Sequence, residues 1–338
     1  MNKGCVKVRS KEIGIDLGTT NTLIYLSKDE TIINEPSIVA IETETKKVIA
    51  VGDEAYEMVG RTPGKMKAIN PINNGVIADF ELTEILIKRL IQKASPKKGI
   101  LKPKILICHP TNTTPVEKTA IKEVAQSLGA SHVHLEEYIK LASIGTGLEL
   151  SKPQASMIVD IGGGTTDMAV LSMNDIVVST SLPIAGNTLD QDLIKYIKEK
   201  HKMLIGEKTA QEIKIDFASV YQPDKKKKMQ IKGRSLLTGL PSTAVLTQEE
   251  TEEALRESIE KIIANITSLL EKTPPELSAD IVDKGLVLTG GSTQLKGLIE
   301  LLNKQLEIPV MIADRPFLCV IEGMKTLFLQ PDRLEYKK

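Results

Sequence analysis

The sequence predicts an α/β fold built from two related domains that face each other across a cleft. Strand-like and helix-like segments alternate along the 338 residues, which is the pattern of an α/β protein. A short motif occurs twice, at residues 15–21 and 159–167, and the two copies lie 144 residues apart. Domains of about 100–200 residues are usual, so the length and the spacing both favour two domains of similar construction.

Short apolar segments predict the central strands. Residues Ile13–Asp16 lead into a turn of glycine and threonine, and residues Thr22–Leu26 leave it. Further apolar segments occur at Pro103–Cys108, Ser156–Asp160 and Gly285–Leu288. Runs of this length and composition are typical of buried strands, so we expect these segments to form the centres of the two sheets.

Helical periodicity predicts four long helices. They are Leu82–Lys93, Val116–Leu128, Thr188–His201 and Gln248–Glu271. The last is the clearest, because Thr247 and Glu250 have the spacing of a capping box and apolar residues then recur every three or four positions. Pro274 and Pro275 follow this segment and end the predicted helix.

Composition excludes several classes of protein. The 44 basic residues balance 44 acidic ones, which argues against a nucleic-acid partner, and we interpret the lysine run Lys225–Lys228 as a solvated loop. Six tyrosines, four phenylalanines and no tryptophan are too few for a stacking platform. Three separated cysteines without a CxxC pair, together with the lack of a signal peptide or an apolar run of membrane-spanning length, predict a cytoplasmic protein.

The repeated motif predicts a site for a polyphosphate. Glycines let the backbone approach a ligand, successive N–H groups form an anion-binding nest, and threonine hydroxyls add donors. Asp16 and Asp160, each at the end of its strand, repel phosphate but can hold a hydrated Mg²⁺ that meets it. One such turn is explained equally well as a hairpin, whereas two matched copies favour a clamp. Neither copy is a Walker loop or a Rossmann fingerprint.

A third glycine turn, Thr289–Ser292, follows the predicted strand Gly285–Leu288. Its glycines would admit a flat base or a ribose against the backbone. The alternative interpretation is a plain connection between a strand and a helix.

The three turns, in this order and spacing, resemble the actin superfamily, and further segments narrow the resemblance to the MreB family, the bacterial actins that form cytoskeletal filaments. The resemblance covers residues 11–328. Its most specific segments are Ile15–Leu23, Asn34–Ser37, Gly60–Gly64, Gly75–Phe80, Leu204–Ala210, Thr238–Pro241 and Lys272–Asp280.

The resemblance implies an actin-like ATPase fold, in which two α/β domains, each with a smaller subdomain, surround a cleft that holds ATP or ADP and Mg²⁺. It predicts subdomain IA at residues 1–32, 67–145 and 320–338, IB at 33–66, IIA at 146–180 and 246–319, and IIB at 181–245.

The resemblance also implies the residues of the site. The predicted phosphate contacts are Gly18, Thr19, Thr20 and Asn21 from the first turn and Gly162, Gly163, Gly164, Thr165 and Thr166 from the second. Asp16 and Asp160 would organise the metal through water. The predicted nucleoside contacts are Glu207, Glu212, Lys214, Gly290, Gly291, Ser292 and Thr293. For Glu212 the alternative is a surface pair with Lys208, four residues away on a helix.

One position departs from the family pattern. An ungapped count places Tyr138 where the family has its catalytic glutamate, and Glu137 falls one residue early, about 100° around a helix. A neutral phenol is a poor base, so we predict that the chain binds ATP and hydrolyses it slowly, with Thr165, Asp160 and Asp16 as the remaining catalytic groups. The alternatives are a local bulge that restores Glu137, or a packing role for Tyr138 with hydrolysis by another arrangement.

The segment at residues 95–104 places Ile100 and Leu101 between lysines. In the MreB family the corresponding loop inserts into the membrane, and the sequence suits an anionic surface. The alternative is a solvated loop whose two apolar residues pack in the core. The resemblance further implies paired head-to-tail protofilaments in the cytoplasm, at the inner face of the cell membrane.

The combined prediction is an MreB-like cytoskeletal protein that binds ATP and forms membrane-associated filaments involved in cell shape. The alternatives within the superfamily are a small-molecule kinase and a chaperone-type ATPase. A kinase needs an aspartate that deprotonates its substrate and a chaperone needs a further substrate domain, and the sequence offers no evident candidate for either.

Overall fold

A computed structural model describes residues 12–61, 64–95 and 102–330. The first half of the chain forms, in order, β1 (Glu12–Leu17), β2 (Asn21–Leu26), β3 (Thr31–Pro36), β4 (Val39–Glu42), β5 (Val48–Val51), α1 (Asp53–Glu57), β6 (Met66–Ile69), β7 (Ile72–Asn73), β8 (Val76–Ile77), α2 (Phe80–Ala94), β9 (Lys104–His109), α3 (Pro115–Ser127), β10 (His132–Glu137) and α4 (Tyr138–Gly145).

The second half forms, in order, β11 (Ser156–Ile161), β12 (Thr166–Ser172), β13 (Asp175–Leu182), α5 (Gly186–Lys200), β14 (Met203–Leu204), α6 (Glu207–Asp216), β15 (Lys228–Ser235), β16 (Pro241–Thr247), α7 (Gln248–Lys272), α8 (Pro275–Lys284), β17 (Leu286–Thr289), α9 (Leu298–Leu306), β18 (Val310–Ile312) and α10 (Cys319–Leu329). Short 3₁₀ turns occur at Gly291–Gln294 and Pro316–Leu318.

The two halves contain the same five-stranded sheet. In the first sheet the strand order is β10-β9-β1-β2-β3, and in the second it is β18-β17-β11-β12-β13. In each sheet, three consecutive strands form an antiparallel meander. Two strands from later in the chain extend the sheet beside the first strand of the meander, and both run parallel to it. The predicted α/β fold with two related domains is therefore confirmed, and the repeated motif is the hairpin between the first two strands of each sheet.

The central strands of each sheet are buried on both faces, as their almost entirely apolar sequences predict. In the first domain one face packs against α2 and α3 through residues such as Ile15, Leu86 and Val124. In the second domain, α5 and α7 cover the corresponding face. A third cluster contains side chains from both sheets together with α4 and α10, so a single apolar layer joins the two domains below the cleft.

The contact between α4 and α10 is close because both helices carry glycine where they meet. A Cβ on Gly145 would lie 1.7 Å from the carbonyl oxygen of Cys319, and one on Gly323 would lie 2.0 Å from that of Leu141. Larger residues would push the helices apart, so these two glycines determine how closely α4 and α10 pack where the domains meet.

The four predicted helices are present as α2, α3, α5 and α7, and the predicted strands as β1, β2, β9, β11 and β17. The capping box of α7 forms as expected: Glu250 N donates to Thr247 Oγ1 at 3.3 Å, and Thr247 N donates to Glu250 Oε2 at 2.7 Å. The lysine run Lys225–Lys228 is exposed, as expected for a solvated segment.

Two smaller sheets lie beside the large ones. The sheet β5-β4-β6 is built mainly from the segment predicted as subdomain IB, and β14-β15-β16 from the segment predicted as IIB. The exact subdomain boundaries remain a prediction. Within the described ranges, the helices are too short or too polar to cross a membrane. The proposed membrane residues Ile100 and Leu101 lie outside those ranges.

Candidate functional site

The two hairpin turns meet at a cleft of about 560 Å³ between the domains, a volume within the usual range for a small-molecule site. The structure brings most of the predicted site residues to its walls. These are Asp16, Gly18, Thr19, Thr20, Asn21, Tyr138, Asp160, Gly162, Gly163, Gly164, Thr165, Lys214, Gly290, Gly291 and Ser292.

The two turns interlock, and this is the reason that the second turn needs its glycines. A Cβ on Gly163 would lie 1.8 Å from Thr20 Oγ1, and one on Gly164 would lie 2.4 Å from Thr19 Oγ1. No side chain fits at such distances. The threonines of the first turn therefore occupy space that the glycines of the second turn leave open, and the backbones of both turns face the cleft.

The N-terminus of α5 supports the second turn, which the sequence analysis did not foresee. Gly186 N donates to Gly162 O at 3.1 Å, and Asn187 N donates to Gly163 O at 2.8 Å. Asn187 also accepts a hydrogen bond from Thr20 Oγ1 at 3.1 Å. This last bond joins the two domains directly at the two glycine-threonine turns.

Three buried carboxylates surround the base of the cleft: Asp16, Asp160 and Asp167. Burial raises the pKa of Asp16 to about 6, against a smaller opposing effect of the Cys108 thiol, which donates to its Oδ1 at 3.3 Å. Burial also raises the pKa of Asp167, and it raises that of Asp160 well above the usual range, an effect that neighbouring Asp167 and Asp16 increase. The site therefore favours a cation or a proton.

A hydrated Mg²⁺ fits these acids. Asp160 Oδ2 and Asp167 Oδ1 are buried and have no hydrogen-bond partner among the described residues. The described residues contain no cluster of three or more metal ligands. Mg²⁺ normally keeps several of its waters, so carboxylates that face a hydrated ion suit it better than they suit a closed cage of protein ligands.

Tyr138 lies at the cleft, and Glu137 does not line it. The Tyr138 hydroxyl donates to Asp160 Oδ1 at 2.9 Å. Burial, together with the charges of Asp160 and Asp16, raises the pKa of Tyr138 well above its ordinary value, so the phenol stays protonated. The pairing of β10 with β9 continues in register to Glu137, which leaves no bulge to turn that carboxylate into the cleft. Thr165 Oγ1 donates to Asp167 Oδ2 at 2.7 Å.

Four predicted site residues, Thr166, Thr293, Glu207 and Glu212, are not among those that line the cleft. Thr166 Oγ1 donates to Ile184 O at 2.6 Å and Thr293 Oγ1 to Gly290 O at 2.6 Å, so both hydroxyls hold the backbone behind the cleft. The Lys208 ammonium lies 5.3 Å from the centre of the Tyr56 ring.

Lys214 lines the cleft, but its ammonium is held inside the protein. Nζ donates to Asp190 Oδ2 at 2.8 Å and to Gly186 O at 2.7 Å, in a site where both side chains are buried. Burial lowers the pKa of Lys214 and the Asp190 carboxylate opposes that shift. In this arrangement Lys214 ties α6 to the N-terminus of α5.

Sequence reasoning missed several residues that also line the cleft: Asn34, Gly75, Cys108, His109, Pro110, Asp167, Gly186, Asn187, Gln211, Ile215 and Phe317. Cys108 to Pro110 could have been found from the sequence, because they lie at the carboxyl end of a predicted strand. Ligands bind beyond the carboxyl ends of parallel strands, so this rule would have drawn attention to His109.

Comparison with known proteins agrees with this architecture. The family model described as MreB/Mbl protein matches residues 10–336. The chain is 49% identical to the cell shape-determining protein Mbl of Bacillus subtilis (strain 168) over 329 residues, which cover 97% of this chain and 99% of that protein. It is 43% identical to the cell shape-determining protein MreB of Escherichia coli (strain K12) over 319 residues, 93% of this chain and 92% of that one.

Among solved structures, MreB5 of Spiroplasma citri bound to AMPPNP is similar with a TM-score of 0.91 and 38% identity, over 96% of this chain and 97% of that one. The same protein bound to ADP matches with a TM-score of 0.90. The double helical filament of MamK, at 22% identity and a TM-score of 0.81, shares the fold.

Proposed function

The chain belongs to the MreB/Mbl family of actin-like cytoskeletal proteins, and from that premise we propose that it binds ATP and ADP and polymerises head to tail into filaments that determine cell shape. The interlocked turns carry this proposal, because Gly163 and Gly164 fit around Thr20 and Thr19 and leave backbone groups of both domains facing one cleft. The AMPPNP-bound and ADP-bound structures of the similar MreB5 support the choice of ligand.

In the proposed complex the phosphates lie between the turn at Gly18–Asn21 and the turn at Gly162–Thr165. The base and ribose lie toward Gly290–Ser292. Asp16 and Asp160 face a hydrated Mg²⁺, which when bound neutralises phosphate charge and relieves the repulsion among the buried acids. Because the phosphates contact both domains, ATP favours the closed cleft and thereby the shape that polymerises.

Electron microscopy of the purified full-length protein tests the polymer. With ATP and Mg²⁺ we expect linear protofilaments, paired side by side, and we expect the Gly163→Ala variant to need a higher ATP concentration to form them. A protein that binds ATP tightly but stays monomeric at every concentration would contradict the proposal and favour a kinase or chaperone-type ATPase. Head-to-tail contacts that do not close into a ring produce filaments of unlimited length.

We also propose that hydrolysis is slow, because a protonated phenol occupies the position where a carboxylate base would act. Tyr138→Glu is expected to raise phosphate release at saturating ATP, by at most the roughly 10²–10⁴-fold that a general base usually contributes. Tyr138→Phe is the matched control and should leave the rate near that of the unmodified protein. A rate that Tyr138→Glu leaves unchanged and Glu137→Ala abolishes would contradict this proposal.

For the location of the filaments we propose the cytoplasm, at the inner face of the cell membrane, through Ile100, Leu101 and the flanking lysines. Each basic residue near an anionic surface contributes about 1 kcal/mol to binding. In co-sedimentation with vesicles that contain anionic lipid, we expect the Ile100→Ser, Leu101→Ser double variant to bind less than the unmodified protein. Equal binding would support the alternative of a solvated loop.

A further inference from the structure

His109 lines the cleft and presents one ring nitrogen that the surrounding fold does not use. We propose that His109 is the base for the slow ATP hydrolysis, with Nε2 accepting a hydrogen bond from the attacking water and taking its proton. This inference rests on the proposed function, since it requires ATP in the cleft.

The topology places His109 at the edge of the sheet where the phosphate turn begins. His109 is the last residue of β9, which lies between β1 and β10 and runs parallel to both. At their carboxyl ends β1 contributes Asp16 and the first turn, and β10 leads directly into Tyr138. Because ligands bind beyond the carboxyl ends of parallel strands, His109 is the contribution of the middle strand to the same site.

A backbone carbonyl determines which ring nitrogen carries the proton. Nδ1 lies 2.8 Å from the carbonyl oxygen of Pro110. A carbonyl only accepts hydrogen bonds, so Nδ1 is the donor, and in the neutral ring Nε2 then holds the free lone pair. Within the described part of the chain, Nε2 has no hydrogen-bond partner. The neutral ring therefore has Nε2 available as a base.

The segment that holds His109 is also packed against the first phosphate turn. A Cβ on Gly75 would lie 2.6 Å from Pro110 Cγ, so the two residues are in close contact. Gly75 N in turn donates to Thr19 Oγ1 at 2.8 Å. This chain of contacts holds His109 in a constant position relative to the turn that is proposed to contact phosphate.

The surroundings keep the ring neutral. Burial lowers the pKa of His109 from 6.5, and Lys118 on α3 lowers it further, while the Pro110 carbonyl and Glu136 on β10 oppose the shift. Glu137 is the register neighbour of His109 on β10, and Tyr138 begins α4 beyond it. A base with a pKa below 6.5 is available at pH 7, so its contribution to the rate should rise with pH in the acid range and then stay level. Asp16 on β1, whose pKa burial raises to about 6, titrates in the same range.

The proposed step is balanced without a further reactant. The water oxygen attacks the γ-phosphorus and its proton moves to Nε2. The bond from the γ-phosphorus to the bridging oxygen breaks, and ADP keeps that electron pair. The imidazolium then releases its proton to solvent. Tyr138 keeps its own proton, donated to Asp160.

Two substitutions at one position test the role of Nε2. In His109→Asn the amide nitrogen replaces Nδ1 as the donor to Pro110 and nothing replaces Nε2. In His109→Gln the amide reaches the place of Nε2 and can orient water but cannot accept a proton. Phosphate release is measured from pH 5 to pH 8 at saturating ATP and Mg²⁺, with ATP affinity and filament formation measured in parallel.

We expect His109→Asn to lower phosphate release by about 100-fold, to reduce the decline on the acid side to the part that Asp16 causes, and to leave ATP affinity within about twofold. His109→Gln should give an intermediate rate with the same reduced decline. In ¹⁵N-histidine spectra of the unmodified protein, Nδ1 of His109 should be protonated and Nε2 should not.

Three results would overturn the inference. One is an unchanged rate and pH profile in His109→Asn, and another is a protonated Nε2 in the neutral ring, which needs no variant. The third is an unmodified protein that binds ATP and forms filaments without measurable hydrolysis. All three leave the proposed filament function intact, whereas failure of the unmodified protein to bind ATP contradicts that function itself.

Discussion

The two glycine-threonine turns, Gly18–Asn21 and Gly162–Thr165, share one sequence motif but contribute different groups to the cleft. The first turn provides side chains, since Thr19 accepts a hydrogen bond from Gly75 N and Thr20 donates to Asn187. The second turn provides space and backbone, because Gly163 and Gly164 leave room for those threonines. The repeated motif thus forms two complementary surfaces rather than two identical ones.

The two aspartates that precede these turns, Asp16 and Asp160, also differ in their surroundings. Asp16 accepts a hydrogen bond from a thiol, Cys108, in the first domain. Asp160 accepts one from Tyr138, which belongs to the other half of the molecule, and it lies close to Asp167. The second turn therefore carries more buried acid, and we expect substitutions there to have larger effects on the stability of the nucleotide-free protein.

Replacing the aspartates with asparagine should give the largest change in stability. The native protein holds a proton on Asp16 up to about pH 6 and the unfolded chain releases it near 3.8, so the unfolding free energy falls as pH rises between these values. Above pH 6 this loss of unfolding free energy is complete, and Asp16→Asn should raise the unfolding free energy at pH 7 by about 3 kcal/mol. Denaturant unfolding of the nucleotide-free protein in EDTA at pH 4 and pH 7 measures this.

The comparison predicts a still larger gain for Asp160→Asn at pH 7, because its carboxyl is buried beside other acids. The surface substitution Asp29→Asn is the control and should change little. If Asp160→Asn stabilised the protein less than Asp16→Asn, the buried carboxylates of the second turn would not be the more destabilising ones.

The second largest effect should follow from a single methyl group in the second turn. Gly163→Ala places a Cβ against Thr20 and should weaken ATP binding by about 10- to 100-fold, since overpacking costs about 1–3 kcal/mol. The measurement is the dissociation constant of a fluorescent ATP analogue.

The neighbouring Gly162 offers a matched control for this substitution. A Cβ there would lie 3.3 Å from its nearest neighbour, Thr165 O, so Gly162→Ala should change the affinity by less than about threefold. Adding Thr20→Gly to Gly163→Ala exchanges the small residue between the turns and should recover part of the binding. A tight-binding Gly163→Ala variant would show that the turns do not interlock.

The smallest effect concerns the hydrogen bond between the turns. A double-mutant cycle of Thr20→Val and Asn187→Ala should give a coupling energy of about 0.5–1.5 kcal/mol, read from the dissociation rate of the ATP analogue. Gln191→Ala, one turn further along α5 and bonded to Glu207, should show no coupling with Thr20→Val. If Thr20→Val coupled equally to Asn187→Ala and to Gln191→Ala, the coupling energy would arise from α5 as a whole rather than from this hydrogen bond.

Local sequence patterns predicted much of the fold. Apolar runs of strand length, helical periodicity and the capping box at Thr247 depend on residues close together in the chain, so they can be read without a structure. The repeated Asp–Gly–Thr motif predicted two matching hairpins, and the structure shows two sheets of identical connectivity. The turn residues at Gly18–Asn21 and Gly162–Thr165 line one cleft, and their contact with phosphate remains a prediction.

Other site residues could not be predicted, because their positions depend on packing between distant segments. Lys214 lines the cleft, and its ammonium also bonds to Asp190 and to the Gly186 carbonyl on α5, a pairing that the sequence did not indicate. Asn187 looks unremarkable in sequence and becomes a link between the domains only because α5 begins beside the second turn.

By itself, the sequence determined the family, the two-domain α/β fold and the pair of glycine-threonine turns, because these follow from local patterns and from a motif that occurs twice. Only the tertiary structure decided that Thr19 and Thr20 fit against Gly164 and Gly163, that Tyr138 bonds to Asp160, and that Gly75 bonds to Thr19 beside the segment that holds His109. Each of these contacts joins residues far apart in the chain, and their geometry arises only when the sheets form and close on each other.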